Sequence, residues 1–539
     1  MGTIAEEIFI TDICEEYDDF SYNFTIDELN KVSEKIVDKG IEQICEALDK
    51  ANLDASDLDL IILAGGSSQL PIVYDKIKNN FNIEPRFISR NLMLAISYGA
   101  SLYQRGLAQL PKLKNEIKTL GYTLDLNVNQ GNRSEYEILF NYNVKLPCSC
   151  KREFIVDLEQ DKFVLRLVSM SGINDSRKKE LKRKSIDLPE GHSDKITIEI
   201  HITENKLIEC TAYDSENPKL KSKMIVDSKL NMIARSKYRK KLGLNNGKDN
   251  IIDSDIQQPF IGIDLGTTTS EVTYVNRFGE AELKYIENPD KIPEEYSNYC
   301  FPSVVFFKDG NKEIEVSNTE ACNAKLASNY RGKVFYEYKV EDVEKSLGVI
   351  DGEDIRVKDL SALALNKIWN SVKHALPNVN CDTAVITVPA SFNPDQCEMT
   401  YEAARIAGIE NVTLIDEPTA AFLYYQFEQG LDNEDISKVL VFDFGGGTTD
   451  VAILDVKTEI SSDIEYKRDM FSVLANVGSS ECGGKFIDEA IYNYLEEKVI
   501  EQFKKDLCKG GANLLKIEAE KVKVRLSEKY NEEGDYDEF

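Results

Sequence analysis

The stretch VLVFDFGGGTTDVAIL, residues 439–454, consists of two apolar runs joined by a polar turn, which predicts the two strands of a β-hairpin. Because Gly445–Gly447 carry no β-carbon, the backbone N–H groups of the turn can approach a phosphate, and the hydroxyl of Thr448 adds a donor. Asp443 and Asp450 would repel that phosphate unless a divalent cation such as Mg²⁺ lay between them, held partly through water. An ordinary glycine-rich hairpin has the same composition, so this stretch alone leaves both interpretations open.

A second stretch, IGIDLGTTTS (residues 261–270), repeats the pattern of the first. Asp264 follows an apolar run, Gly266 lies in the turn, and Thr267 and Thr268 supply hydroxyls before a second strand. Two such hairpins in one chain predict a cleft in which a phosphate chain is held from both walls.

The overall composition excludes several classes of function. At 539 residues the chain is too long for one hydrophobic core, and we expect three or four domains. Its formal charge of −29, from 94 acidic and 65 basic side chains, disfavours nucleic acid or an anionic membrane as a partner. No apolar run approaches the ~20 residues that a membrane-spanning helix needs. We therefore expect neither nucleic-acid nor membrane partners.

Cysteine and histidine usage narrows the chemistry. The eleven cysteines are scattered and odd in number, which disfavours a disulfide framework and favours a reducing, cytoplasmic location. The three histidines, His192, His201 and His374, do not lie near either hairpin in the sequence. We therefore expect carboxylates, lysine, hydroxyls and metal to carry any chemistry.

A third glycine turn follows the apolar run at residues 58–64. Gly65, Gly66 and Ser67 come next, and Pro71 stands where the first turn of a helix would begin. The backbone of such a turn can bind a flat or anionic group, although an ordinary strand-to-helix connection has the same sequence pattern.

Polar residues also interrupt apolar elements nearer the C-terminus. Glu417 follows the strand at residues 413–415, where a carboxylate either caps the next helix or binds metal and water. Glu520, Lys523 and Ser527 share one face of a predicted helix because they are three and four residues apart. More commonly, three polar residues at this spacing are solvent-exposed surface residues with no binding role.

One portion of the chain has a different character from the rest. Short alternating segments over residues 121–227 predict an antiparallel β domain. We interpret residues 108–120 as a linker, and residues 228–258 as a linker or a marginal helix. A helical period covers residues 25–50.

Several motifs, taken together, resemble the seventy-kilodalton heat-shock (Hsp70-type) chaperones. IGIDLGTTTS, AVITVPASFNPDQ, LIDEPTAAFLYY, VFDFGGGTTDVAIL, GGKFID and AEKVKVRLS are similar to motifs of their nucleotide-binding domain, and IILAGGSSQLP and SYGAS to its closing part. FNYNVKLP and KLIECTAYD are similar to the family's peptide-binding β domain. The resemblance implies an α/β fold, with an actin-like two-lobed ATPase domain of ribonuclease H-like lobes and an antiparallel β-sandwich-like domain.

The order of these motifs departs from the family's order. Elements that close the family's nucleotide domain come first here, the β domain follows, and the phosphate hairpins come last. We expect residues 1–107 and 259–539 to be the C-terminal and N-terminal parts of one nucleotide-binding domain. A circularly permuted chaperone and an excised piece of a tandem array of chaperones both explain this order.

The resemblance also implies roles for individual residues, with ATP/ADP and Mg²⁺ as cofactors. Asp264 and Asp443 would place Mg²⁺, Lys339 would be the catalytic lysine, and Glu417 and Asp450 would order water and metal. Phosphate contacts and close approaches to the nucleotide would come from Gly266, Thr267, Thr268, Gly445, Gly446, Gly447, Thr448, Gly483 and Gly484. Adenosine would be held by Glu520, Lys523 and Ser527 from one lobe and by Gly65, Gly66 and Ser67 from the other. The implied reaction is in-line attack of a positioned water on the γ-phosphate, without a covalent step.

Departures from the family bear on its partners, which are unfolded or peptide clients and J-domain and nucleotide-exchange co-chaperones. Thr413 and Asp416 replace an Arg and an Asn implicated in J-domain contact, and Ser391 and Cys397 replace residues that relay nucleotide state. The run Asn91-Leu92-Met93-Leu94 lacks an acidic group expected near the ribose. We therefore expect ATP binding to survive these changes better than coupled peptide release and co-chaperone contacts.

The function that follows is that of an ATP-dependent chaperone-like ATPase, in which ATP binding and slow hydrolysis control peptide binding. A divergent nucleotide-binding scaffold with little hydrolysis and a fragment of a tandem chaperone are the alternatives. The two phosphate hairpins do not distinguish among the three.

Overall fold

A computed structural model describes most of the chain. The described residues are 4–15, 18–88, 92–109, 120, 123–130, 133–141, 144–170, 178–224, 232–244, 259–277, 281–293, 296–308, 313–326, 332–377, 379, 381–429, 436–460 and 467–533. Asn91 and parts of both expected linkers, residues 110–119, 228–231 and 245–258, lie outside them. We call residues 4–109 the first segment, 120–224 the β-rich segment and 232–533 the last segment.

The first segment has an α/β pattern. Its elements are β1 (Ala5–Ile10), β2 (Phe20–Thr25), α1 (Ile26–Ala51), β3 (Leu60–Ala64), α2 (Pro71–Phe81), β4 (Arg86–Phe87) and α3 (Leu92–Gln109). Helix α1 confirms the predicted helical period, and it begins in a capping box in which Thr25 and Glu28 each satisfy the other's backbone N–H. Pro71 occupies the first turn of α2, where its missing N–H costs nothing.

The β-rich segment contains the antiparallel strands that the alternation predicts. They are β5 (Thr123–Gln130), β6 (Arg133–Phe140), β7 (Cys148–Ile155), β8 (Lys162–Leu165), β9 (Leu167–Met170), β10 (Lys178–Glu180), β11 (Lys184–Asp187), β12 (Lys195–Ile202), β13 (Ile208–Asp214) and β14 (Lys221–Met224). The sheets are ordered β10-β9-β5-β6, β11-β8 and β14-β13-β12-β7. Alternate residues of β12, from Ile196 to Ile202, are buried in a core shared with β5 and β8.

The last segment begins with a helix in the region expected to be a linker or a marginal helix. Its elements are α4 (Met232–Lys241), β15 (Phe260–Asp264), β16 (Thr269–Val275), β17 (Leu283–Tyr285), β18 (Cys300–Pro302), β19 (Val304–Lys308), β20 (Ile314–Val316), α5 (Thr319–Leu326), β21 (Gly332–Tyr336), β22 (Gly348–Ile350), β23 (Glu353–Ile355), α6 (Val357–Ala375), β24 (Thr383–Val388), α7 (Pro394–Ala407), β25 (Asn411–Asp416), α8 (Glu417–Gln429), β26 (Lys438–Phe444), β27 (Thr449–Ile460), β28 (Lys467–Ser479), α9 (Gly484–Phe503) and α10 (Lys509–Glu533). Tertiary contacts support α4, because Arg235 pairs with Glu410 and Arg239 donates to the carbonyl of Ile406 at 2.8 Å. Among the described residues, no helix has the length and apolar character needed to cross a membrane.

The first and last segments share one sheet. Its strand order is β28-β27-β26-β3-β4, and β3 pairs in parallel with β26 so that Ala64 lies opposite Asp443. A second sheet, β17-β16-β15-β24-β25, carries the phosphate hairpin of residues 261–270, and α3 packs between the two sheets. The packing is close, since a β-carbon at Gly99 of α3 would collide with the carbonyl of Ala420. Residues from opposite ends of the sequence therefore form one body.

Candidate functional site

A cavity of about 390 Å³ is lined by residues from both large sheets. Its walls include the β15–β16 turn, the β26–β27 turn, the turn after β3, and one face of α10. The carboxyl ends of β3, β15 and β26 point into this region, which is the usual position of a ligand in an α/β fold.

The two glycine hairpins touch each other. Within the β26–β27 turn, the N–H of Gly445 donates to the carbonyl of Thr448 at 3.0 Å. A β-carbon at Gly446 would lie 2.5 Å from Oγ1 of Thr268, and one at Gly447 would lie 2.7 Å from Cγ2 of Thr267. Only glycine lets the turns approach this closely, so the hydroxyls of one hairpin meet the bare backbone of the other. The two hairpins therefore form opposite walls of one cleft.

Buried carboxylates gather around a buried lysine in this cleft. Lys339, 5% exposed, donates from Nζ to Oε1 of Glu417 at 2.8 Å. Asp264, Asp443 and Asp450 are also buried. The hydroxyl of Thr387 donates to Oδ1 of Asp264 at 2.7 Å, and the backbone N–H of Ser391 donates to Oδ1 of Asp450 at 3.1 Å. Because Lys339 is paired with Glu417, the remaining carboxylates leave an excess of negative charge.

That excess is visible in the pKa values. Burial raises the pKa of Asp264, and burial together with the charges of Glu417 and Asp450 raises the pKa of Asp443 well above its usual range. Burial raises the pKa of Glu417 to about 8 and that of Asp450 to about 6. The pKa of Lys339 is also raised, because the attraction of Glu417 and Asp264 outweighs the opposing effect of burial. The cleft thus favours uptake of positive charge.

The turn after β3 brings the first segment into contact with the same site. Gly65 has φ +79°, and a β-carbon there would collide with Oδ1 of Asp443. A β-carbon at Gly484, at the start of α9, would lie 2.5 Å from Oγ of Ser67. Three stretches that are far apart in the sequence, at residues 65–67, 443–448 and 484, therefore meet at van der Waals distance.

Helix α10 supplies the polar trio that the sequence places on one helix face. Lys523 Nζ lies 2.7 Å from Oδ1 of Asp488 and 3.4 Å from the carbonyl of Gly484. The hydroxyl of Ser527 donates to the carbonyl of Lys523 at 2.9 Å. Oε2 of Glu520 lies 3.8 Å from Nζ of Lys325, so this ion pair joins α10 to α5.

Most residues singled out in the sequence line the cavity. The lining includes Gly65, Gly66, Ser67, Asp264, Gly266, Thr267, Thr268, Lys339, Glu417, Asp443, Gly445, Gly446, Gly447, Thr448, Glu520, Lys523 and Ser527. Asp450 and Gly484 are not part of this lining but contact residues next to it. Asp450 accepts a hydrogen bond from the N–H of Ser391, and Gly484 packs against Ser67.

A comparison with protein families identifies this arrangement. The family model described as Hsp70 protein matches residues 4–231 and again residues 260–537. The chain belongs to the Hsp70 family. Members of this family are actin-like two-lobed ATPases that use ATP, ADP and Mg²⁺, and they act as chaperones that bind unfolded clients and co-chaperones. This Hsp70-family protein is accordingly an ATP-dependent chaperone.

The residues of this Hsp70-family chain fit a hydrated Mg²⁺ ion. Within the described ranges, no group of three or more His, Cys, Asp or Glu side chains is arranged to hold a metal directly. Mg²⁺ needs no such cage, since it keeps several waters and binds through one or two carboxylates plus phosphates. Asp264 and Asp443 offer buried carboxylates beside the cavity, and Oδ2 of Asp450 has no hydrogen-bond partner among the described residues. These acceptors suit the waters of such an ion.

Two features of the Hsp70-family site were missed in the sequence. Glu271 on β16 is 2% exposed and lines the cavity, and burial together with the charge of Asp264 raises its pKa well above the usual range. A single charged side chain inside an otherwise uncharged strand was the available signal. Lys206 of the β-rich segment forms a buried ion pair with Asp416, with Nζ and Oδ1 2.6 Å apart. Its position 210 residues before Asp416 gave no sequence signal.

Proposed function

We propose that the ATPase site of this Hsp70-family protein is assembled within one chain, from the first and last segments in permuted order. The observation that carries the proposal is the convergence of Gly65, Asp443 and Thr268 at one cavity. The parallel pairing of β3 with β26 supports it, because this pairing fixes the two segments in register. In this proposal residues 1–107 and 259–539 form the nucleotide-binding domain, with linkers at 108–120 and 228–258 around a β-sandwich-like domain at 121–227.

We infer the role of each carboxylate from its contacts. Asp264 and Asp443 lie on opposite hairpins and would hold a hydrated Mg²⁺ ion through its waters. Glu417 lines the cavity and is fixed by Lys339 at 2.8 Å, so it orients the water that attacks the γ-phosphate. Asp450 accepts from the N–H of residue 391 and keeps the hairpin in place. When bound, Mg²⁺ neutralises charge on the phosphates.

The other residues of the cleft bind the phosphate chain and the nucleoside. They are Gly266, Thr267, Thr268, Gly445, Gly446, Gly447 and Thr448 for the phosphates, and Gly65, Gly66, Ser67, Gly484, Glu520, Lys523 and Ser527 for the nucleoside. The contact between the two glycine turns supports the first group, because it leaves backbone N–H groups and hydroxyls at the same surface.

Steady-state phosphate release tests the catalytic assignment. We expect Asp443→Ala to lower kcat by about 100-fold or more, because a charge that holds the cation is lost. Asp455→Ala is the matched control: Asp455 lies on the same sheet and pairs with Lys438 at 2.6 Å, away from the cavity. Equal rates for the wild type and Asp443→Ala would contradict the assignment and leave a nucleotide-binding role alone.

Binding stoichiometry tests the assembly within one chain. Isothermal titration calorimetry with ATP, carried out on the monomer fraction from gel filtration, should give one ATP site per chain. Binding that appears only in a dimer fraction would show that the first segment of one molecule completes the cleft of another.

We further propose that the β-rich segment binds apolar peptide segments of unfolded clients. Ile155 at the end of β7 and Leu158 just after it are 82% and 69% exposed, whereas the rings of Phe154 and Phe163, 4.7 Å apart, pack against the core of the segment. Exposed apolar side chains on such a folded core form a surface that an extended apolar peptide would cover. Fluorescence anisotropy with a labelled leucine-rich peptide should show weaker binding for Leu158→Asp than for the wild type, and equal binding would contradict the proposal.

A further inference from the structure

The hairpin between β12 and β13 carries an unusual residue at its tip. Its backbone is closed by bonds from Thr203 N–H to Leu207 O at 2.9 Å and from Lys206 N–H to Thr203 O at 3.0 Å. Lys206 has φ +60°, in the left-handed region that favours glycine or asparagine. A lysine in this conformation is strained, and such strain is typical of a residue whose side chain has a task.

The side chain of Lys206 reaches into the ATPase body. Its Nζ lies 2.6 Å from Oδ1 of Asp416, and the two residues are 4% and 5% exposed. The other oxygen of Asp416 accepts from Nδ2 of Asn476 at 3.3 Å. The side chain of the neighbouring Asn205 accepts from the N–H of Leu414 at 2.9 Å and donates to the carbonyl of Val412. The hairpin tip is therefore docked along β25.

Asp416 is next to the catalytic machinery. It ends β25, and the following residue, Glu417, begins α8 and pairs with Lys339 in the cleft. Any shift of Asp416 therefore moves the backbone from which Glu417 projects. The charges also interact, since Asp416 and Asp450 both raise the pKa of Lys206 against the opposing effect of burial.

We propose that Lys206 is a positioning residue of the ATPase site, supplied by the β-rich segment: it neutralises Asp416 and so fixes the junction that presents Glu417 to the cleft. This inference rests on the proposed roles of Glu417 and Lys339. Without Lys206, Asp416 would be a buried carboxylate without a cation, and the junction would rearrange to let water reach it.

Full-length variants measured for ATP hydrolysis and for binding of a fluorescent ATP analogue test the inference. We expect Lys206→Met and Lys206→Gly to lower kcat by about 10- to 100-fold, through misplacement of Glu417. The KM for ATP and the affinity for the analogue should stay close to the wild-type values, because the phosphate hairpins are untouched. Glycine relieves the strained turn, so a loss of activity in Lys206→Gly cannot be attributed to a misfolded hairpin.

Charge restoration and a matched control separate positioning from general docking. Lys206→Arg and the neutral double variant Lys206→Met/Asp416→Asn should recover most of the lost kcat, since neither leaves a buried charge unpaired. Lys184→Met breaks another ion pair between the same two segments, Lys184 with Glu398 at 2.6 Å, and should keep kcat near wild type.

Three results would overturn the inference: wild-type kcat in Lys206→Met and Lys206→Gly, an equal loss in Lys184→Met, or a loss confined to KM. A wild-type protein without ATP hydrolysis would instead refute the proposed function, and the inference with it. An active wild type with unaffected Lys206 variants would refute the inference alone.

Discussion

Two buried lysine–carboxylate pairs lie side by side where β25 passes into α8, and they differ in what surrounds them. Lys339 and Glu417, 2.8 Å apart, face the cavity among further carboxylates whose pKa values are raised. Lys206 and Asp416, 2.6 Å apart, join the β-rich segment to the last segment, and the amide of Asn476 on β28 is a further donor to Asp416. The first region keeps excess negative charge that a ligand must balance, whereas the charges of the second are balanced by the protein itself. Mutations in the cleft should therefore change activity and pH dependence most, and those in the docked hairpin should change stability or the placement of Glu417.

Breaking the pair in the cleft should have the largest effect. In Lys339→Met, Glu417 loses the cation that fixes it, and we expect kcat to fall by about 10²- to 10³-fold. ATP affinity should change little, because the phosphate hairpins and α10 are intact. Lys358→Met is the control, since Lys358 pairs with Glu402 at 2.8 Å outside the cavity. A kcat for Lys339→Met equal to that of this control would remove Lys339 from the mechanism.

A pH titration of stability should sharpen the contrast, with a smaller effect. The folded pKa of Glu417 is about 8, above its ordinary value of 4.5, so between these values the folded protein keeps a proton that the unfolded chain releases. The free energy of unfolding of the nucleotide-free protein should thus fall as pH rises through this window, by about 3 to 4 kcal/mol between about pH 5 and pH 8. Urea unfolding should show a smaller fall in Glu417→Gln. Parallel curves for the two proteins would mean that Glu417 titrates normally.

The sequence predicted the cleft better than the docked hairpin, and the reason is physical. The turns at Gly445–Gly447 and Gly266 share one pattern, in which an apolar strand ends in an aspartate, a glycine turn and threonines. Because ordinary hairpins rarely require this pattern, its repetition was enough to predict that the two turns share a ligand. Lys206 is an ordinary surface residue by sequence, and only the fold brings it to Asp416, 210 residues later. Helix α4 escaped firm prediction for the same reason, since its stability depends on Arg235 meeting Glu410 in space.

The smallest expected effect concerns the docked hairpin. Asn205 completes the edge of β25 by accepting from the N–H of Leu414 and donating to the carbonyl of Val412. Asn205→Ala removes both bonds, but water can replace them because Asn205 is only partly buried. We therefore expect a loss of about 1 kcal/mol in the free energy of unfolding, with kcat unchanged because the Lys206–Asp416 pair remains. Thermal unfolding and phosphate release measured on the same preparation would check both halves. A clear fall in the kcat of the folded variant would mean that the whole hairpin tip, and not Lys206 alone, holds Glu417 in place.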